Sequence, residues 1–214
     1  MKKSAMISGM NFGTEFLTNL YKSVKKAGGT EEDIYTKCKS GSPLFEKWAN
    51  DIVGEMKLYQ HFSVTDSNIP IPKITLNTDE FFSQKFIWMS DNFKNVILSE
   101  IKQEITSVSH TLTSLKLNKS LSDFDIRKDL GEDEVVTPHQ WAEEFCPLMN
   151  QQDKGQPGPL LTNGYANIRY VKLSNGTVLA VDVYWLADGG QWDCNAWELG
   201  DNGWFAEERF FLRS

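Results

Sequence analysis

No apolar run in this chain approaches the roughly 18 to 20 residues needed to cross a bilayer, and MKKSAMISGMNFG follows its two lysines with no apolar core of a secretory signal. Histidine is scarce. His61, His110 and His139 are the whole supply, and none stands in an H-x-x-x-H or H-E-x-x-H arrangement, so a zincin-type centre is excluded. Cys38, Cys146 and Cys194 are odd in number, far apart and never C-x-x-C, which argues against a disulfide framework and a zinc site and for reduced thiols in the cytoplasm. A Cys146–His139 dyad fails on geometry, because two helical turns separate the pair by roughly 10 Å. No G-x-x-x-x-G-K-S/T or G-x-G-x-x-G leads from a strand into a helix, which removes the usual nucleotide cradles. Positive charge is also short: the net charge is −7, and residues 122–214 hold 7 basic against 16 acidic side chains. That surface repels phosphate backbones and anionic headgroups, making nucleic acid and membrane poor partners. No cofactor and no metal is called for.

What is present is an ordinary globular mixture, 40% hydrophobic and 24% charged over 214 residues, enough for one generous domain or two small ones. Phe12, Phe16, Leu17, Leu20 and Val24 recur at helical spacing until KKAGG stops them. Thr30, ahead of Glu31, Glu32 and Asp33, predicts a second helix start, and Leu44, Trp48, Ile52 and Met56 a third stripe. SVTDSNIPIPKITLNTDE, with two prolines and no helical stripe, reads as an extended linker with one short strand. The expected organisation is a helical region over residues 1–60, a linker over 61–79 and an α+β domain over 80–214, packed as separate units or as one. Within the last, Ser90 or Asp91 caps a short helix, SHTLTSLKL alternates as a strand, SDFDIRKDLG is a capped helix, and Thr137-Pro138 opens a helix striped by Trp141, Phe145, Leu148 and Met149.

From Leu160 onward the period switches to two, between glycine turns, and four of the seven tryptophans lie here. Asn175-Gly176 predicts a type I′ hairpin joining strands 166–173 and 177–186; Asp188-Gly189-Gly190 leads to 191–199, and Asp201-Asn202-Gly203 to a last strand ending near Leu212. The expected fold class is α+β: N-terminal helices, then helices packed on one face of a C-terminal four-stranded antiparallel meander. Leu179, Val181, Val183 and Trp185 form the core face of the second strand. Asp182 and Tyr184 point the other way, and with Arg169, Asp193 and Trp197 they make the candidate binding patch of aromatics and charges. The competing explanation of the same residues is cross-strand pairing that merely stabilises the sheet.

The runs KGQPGPLLTNGYANIRYV and VDVYWLADGGQWDCNAWELGDNGWFAEERFF resemble the closing segment of a family of uncharacterised bacterial proteins, whose pattern is a QPKGE loop, LLxNGYANxFYV, VxVxWxxDxxxW and TWERxxxWxAGxRVFSP. The matching positions include Asn163, Gly164, Tyr165, Ala166, Asn167, Tyr170, Trp185, Asp188, Trp192, Trp197, Glu198, Trp204 and Arg209. FFLRS departs from the family's ending. The resemblance implies one continuous α+β unit from about residue 80 and supplies no catalytic residue.

These features favour a non-enzymatic cytoplasmic binding module whose partner is a protein or a small polar ligand. One alternative is a small hydrolase using two of Asp182, Asp193, Glu198, Glu207 and Glu208 across an aromatic-lined cleft. Another is an acidic antitoxin-like or immunity-like partner protein.

Overall fold

The computed structural model describes residues 18, 21–30, 32–33, 61–106, 110–200 and 203–214. The chain divides into two compact units, Met1–Met56 and Lys57–Ser214. In the first, residues 21–26 are helical and end where Gly28 turns left-handed at φ 83°, with the Gly29 N–H returning to the Val24 carbonyl at 2.9 Å. Thr30 caps the next helix as its sequence predicts: its hydroxyl accepts from the Asp33 N–H at 3.2 Å, and the Asp33 carboxylate accepts from the Thr30 N–H at 2.8 Å. The third expected stripe, Leu44 to Met56, lies outside the described residues.

The second unit is built on a seven-stranded mixed sheet. Its strands are β1 (Phe62–Pro70), β3 (Phe86–Met89), β5 (Thr111–Leu117), β7 (Asn167–Lys172), β8 (Val178–Leu186), β9 (Gln191–Glu198) and β11 (Arg209–Arg213), in the order β1-β5-β11-β7-β8-β9-β3. Two short ladders accompany it: β2 (Thr75–Asn77) with β4 (Glu104–Thr106), and β6 (Leu121–Ser122) with β10 (Gly203–Trp204). The helices are α1 (Thr78–Lys85), α2 (Asp123–Leu130) and α3 (Pro138–Gln151), with a π-helical turn at Phe93–Ile97 opened by the Ser90 hydroxyl, which accepts from the Phe93 N–H. Among the described residues no helix is long and apolar enough to cross a membrane.

This architecture corrects the four-stranded meander. β7, β8 and β9 are antiparallel neighbours, but β11 does not pair with β9; it lies parallel to β7 and antiparallel to β5. The reason is in its composition. Phe210 and Phe211 point to opposite faces and each is 1% exposed, which an edge position in a small meander with one wet face could not provide. Gly203-Trp204 pairs with β6 instead of continuing a hairpin, and the Glu207 N–H bonds the Leu117 carbonyl, delivering β11 to the β5 edge. The stretch expected as a linker is extended but paired: β1 is an edge strand antiparallel to β5, with bulges near Asp66 and left-handed Asn68.

Helices cover both faces, not one. α3 opens with a capping box between Thr137 and Gln140 and carries Trp141, Phe145, Leu148 and Met149, all 0% exposed. It packs against Leu179, Val181, Val183, Trp185 and Phe211, with Phe145 and Phe211 rings 5.3 Å apart. Each of these large side chains contributes about 1.5–3 kcal/mol by leaving water. On the far face α2 and the β6–β10 ladder cover the β1-β5-β11-β7 side and reach Ala180 of β8, through Ile126, Trp204, Phe62, Tyr170 and Phe210. Asp123 fastens that cover, accepting from Tyr170 Oη at 2.8 Å, Trp204 Nε1 at 2.6 Å and the Gly200 N–H at 3.1 Å. The far face of β8 from Asp182 onward, with β9 and β3, contributes nothing to that cluster.

Candidate acidic and aromatic face

Pairing along β8 and β9 sets Ala180 opposite Trp197, Asp182 opposite Asn195 and Tyr184 opposite Asp193, while β3 brings Trp88 alongside Asp193. Four of the five candidate residues therefore share the far face, as alternation predicts. Arg169 does not. It stands opposite Val181 on the covered face, 2% exposed, with its Nε 3.5 Å from a Glu144 carboxylate oxygen and its Nη1 donating to the Phe211 carbonyl.

The turn explains the misplacement. A two-residue type I′ loop at Asn175-Gly176 would have set Arg169 opposite Asp182. Only Gly176 has positive φ, 89°, and the Leu173 N–H bonds the Thr177 carbonyl at 2.8 Å, so the loop is three residues long with a bulge glycine. One residue of register moves a side chain through the sheet.

Asp182 is 3% exposed. Its Oδ1 accepts from Trp197 Nε1 at 2.7 Å and its Oδ2 from Asn195 Nδ2 at 3.3 Å. Burial pushes its carboxyl up to about 6, those two donors hold it down, and the Asp193 charge adds to the rise. Asp193 is 6% exposed; its Oδ2 accepts from Tyr184 Oη at 3.1 Å, and its Oδ1 is sealed from solvent without a hydrogen-bond partner. Its pKa is raised by burial, against the Tyr184 hydroxyl and the nearby Trp88 N–H. Tyr184 is raised in turn, first by burial and then by Asp193.

Glu208, in the turn before β11, joins the same face. Its Oε2 accepts from the Phe205 N–H at 2.7 Å, and burial pushes it up to about 7, with that N–H opposing and the Asp182 charge assisting. Among the described residues, none of these three carboxylates has a Lys, Arg or His ion-pair partner. Trp88, 49% exposed, and Trp197, 36% exposed, flank the acids, with Tyr184 half-buried between them. Glu198 and Glu207 are exposed, and Glu207 pairs with Lys116 at 3.2 Å.

Trp88 and Asn195 are additions to the patch that the sequence predicts. Asn195 shares the parity of Asp193 and Trp197, so alternation alone could have found it. Trp88 lies in a four-residue strand between α1 and Ser90, too short to show a period. The histidines disperse: His61 bonds Asp129, His110 bonds Glu144 at 3.0 Å, and His139 lies 3.7 Å from Glu143. Cys146 and Cys194 are free and buried, with burial pushing both thiols up. Among the described residues no cluster of His, Cys, Asp or Glu could hold a metal ion. Cavities of about 410 and 250 Å³ lie elsewhere, the first around Phe82, Met89, Leu98 and Gln103, the second around Glu100, Gln140 and Lys172.

Chemically, the face offers hydrogen-bond acceptors, negative charge and aromatic rings, and carboxyls that exchange protons near neutrality. No family model matches the chain, and no curated protein or solved structure matches it.

Proposed function

We propose that the protein acts by binding, with the far face of β8, β9 and β3 as its contact surface for a protein or a small polar ligand. The observation that carries this reading is the set of three buried carboxylates without a cationic partner among the described residues, bordered by exposed indole rings. A purely structural sheet face has no reason to keep acids in that condition, since replacing a desolvated charge by an apolar side chain is commonly neutral or stabilising. Free, buried thiols fit a reducing compartment such as the cytoplasm.

The test begins with the Trp88→Ala and Tyr184→Ala double variant. A contact surface predicts a melting temperature within a few degrees of the parent, because both rings retain solvent. A fall of many degrees assigns the rings to packing and removes the reading. A photo-crosslinker at Trp88 should then capture a partner that the same group at exposed Lys119 does not, and capture should disappear with Asp193→Asn.

A second reading has its own support. Asp182 near 6 and Glu208 near 7 titrate where a general acid must, with their charges coupled. For a hydrolase, activity on a glycoside or ester panel should vanish in Glu208→Gln with the fold intact.

A further inference from the structure

Of the two charged clusters that the sheet buries, the one under α3 is internally compensated: Glu144 receives Arg213 Nε at 2.7 Å and His110 Nε2 at 3.0 Å and lies 3.5 Å from Arg169. Glu144 Oε2 and Arg169 Nε also lack a hydrogen-bond partner, but they face each other with opposite charges, so that cluster calls for no counter-ion. The far face is different. Asp193 is more than nine-tenths buried, its Oδ1 meets no donor in good hydrogen-bond geometry although the Trp88 N–H lies near the carboxylate, and Asp182 and Glu208 share its face without a counter-charge among the described residues. A buried acceptor left unpaired is destabilising, more so when charged. A donor brought by a ligand removes that cost.

We infer that this face takes a guanidinium group, with Asp193 as its acceptor and the Trp88 and Tyr184 rings as its walls. The inference rests on the binding role proposed above and names the chemistry of the ligand. Charge complementarity requires a cation. The combination of a carboxylate with aromatic faces selects a planar, delocalised one, because guanidinium presents a fork of donors to a carboxylate while stacking flat on an indole. An ammonium is a hydrated point charge that gains less from an indole wall and gives up more water on entering. Asp193 Oδ1 is sealed from solvent, and its neighbours across the strands are Tyr184 and Trp88, both partly exposed. Entry of the ligand to this oxygen therefore requires one of these rings to turn aside. Asp182, with both oxygens already engaged by Trp197 and Asn195, supplies field without contact.

The experiment titrates the isotope-labelled protein with N-acetyl-arginine amide, following the indole N–H signals by NMR. Trp197 is the internal reporter, because its Nε1–H is held by Asp182. N-acetyl-citrulline amide serves as the isosteric neutral control and N-acetyl-lysine amide as the point-charge control. Saturable shifts are expected with the arginine probe alone, weakened about tenfold or more by Asp193→Asn, weakened by Trp88→Ala, and unchanged by Glu100→Gln on the distant cavity. Absence of saturation, equal response to lysine or citrulline, or indifference to Asp193→Asn overturns the assignment. Tighter binding of an arginine-bearing peptide than of the amide identifies a protein partner as the source; equal binding identifies a small guanidinium compound. If the rings prove to be packing, both this inference and the binding role fail; if they prove wet and the arginine probe is silent, only the guanidinium assignment fails.

Discussion

The two faces of one sheet treat buried charge in opposite ways. Under α3 the acid Glu144 and the base Arg169 are both essentially out of solvent and lie within 3.5 Å of each other, with Arg213 and His110 completing the set. Across the same strands, at Asp182, Asp193 and Glu208, the charges are all of one sign, and their compensation among the described residues is neutral: an indole N–H, an amide, a phenol and a backbone N–H. A paired cluster neutralises its own charge and holds elements together. On the far face burial, with a smaller contribution from like charge at Asp182 and Glu208, pushes the carboxyls toward the neutral form, and that instability is available to a binding partner.

The difference is sharpest when each side is broken. Glu144→Ala leaves the buried Arg169 with only the more exposed Glu134 carboxylate, 3.8 Å away, against burial that already pushes its guanidinium below its ordinary range. The expected loss is about 3–5 kcal/mol by chemical denaturation, the typical cost of removing one partner from a buried ion pair. A loss under about 1 kcal/mol would place the pair's energetics with the exposed Arg213 and erase the contrast between the faces.

The open face should show itself through pH. Asp182 is raised in the fold to about 6 from an unfolded value near 3.8. Between those values the folded chain binds more protons than the unfolded one, so this residue makes stability fall as pH rises through the window and lends most below it. The amplitude is on the order of 2–3 kcal/mol, since each tenfold change in proton affinity is worth about 1.4 kcal/mol. Glu208 extends the same sign of slope toward its value of about 7. In Asp182→Asn the decline between about pH 4 and 6 should flatten, measured by denaturant midpoints across pH. An unchanged slope would mean that Asp182 ionises as freely in the fold as outside it.

Much of this was legible in the sequence, and the failures have physical causes. α2 and α3 are announced by Ser122 and Thr137, whose hydroxyls do accept from Asp125 and Gln140 N–H groups. β7, β8 and β9 are announced by glycine turns and alternation, because hairpins are local. β11 could not be placed that way: its partners β5 and β7 are distant in the chain, and only the apolar character of both its faces hints at a central position. β1 was concealed by two prolines, one of which closes the strand. The acidic face followed from parity alone at Asp182, Tyr184, Asp193 and Trp197. Glu208 was visible only as one carboxylate among several, because the turn that delivers it forms no regular pattern.

Arg169 depended on one loop, and the loop supplies the mildest test. Gly176 sits at φ 89° with open space where a Cβ would be, so Gly176→Ala carries a backbone cost alone, about 1–2 kcal/mol for a residue held left-handed. Asn175 has no such requirement, because its φ is not positive. Its substitution by alanine removes only the 2.9 Å bond from the Thr177 N–H to its side chain, a loss of about 0.5 kcal/mol at an exposed site. A type I′ turn would make the two substitutions cost alike, since both central residues would be left-handed. Unequal costs, read from the two denaturation midpoints, therefore report the three-residue loop. That loop fixes the register, and the register keeps the buried Arg169 guanidinium with Glu144 and away from the three acids of the far face.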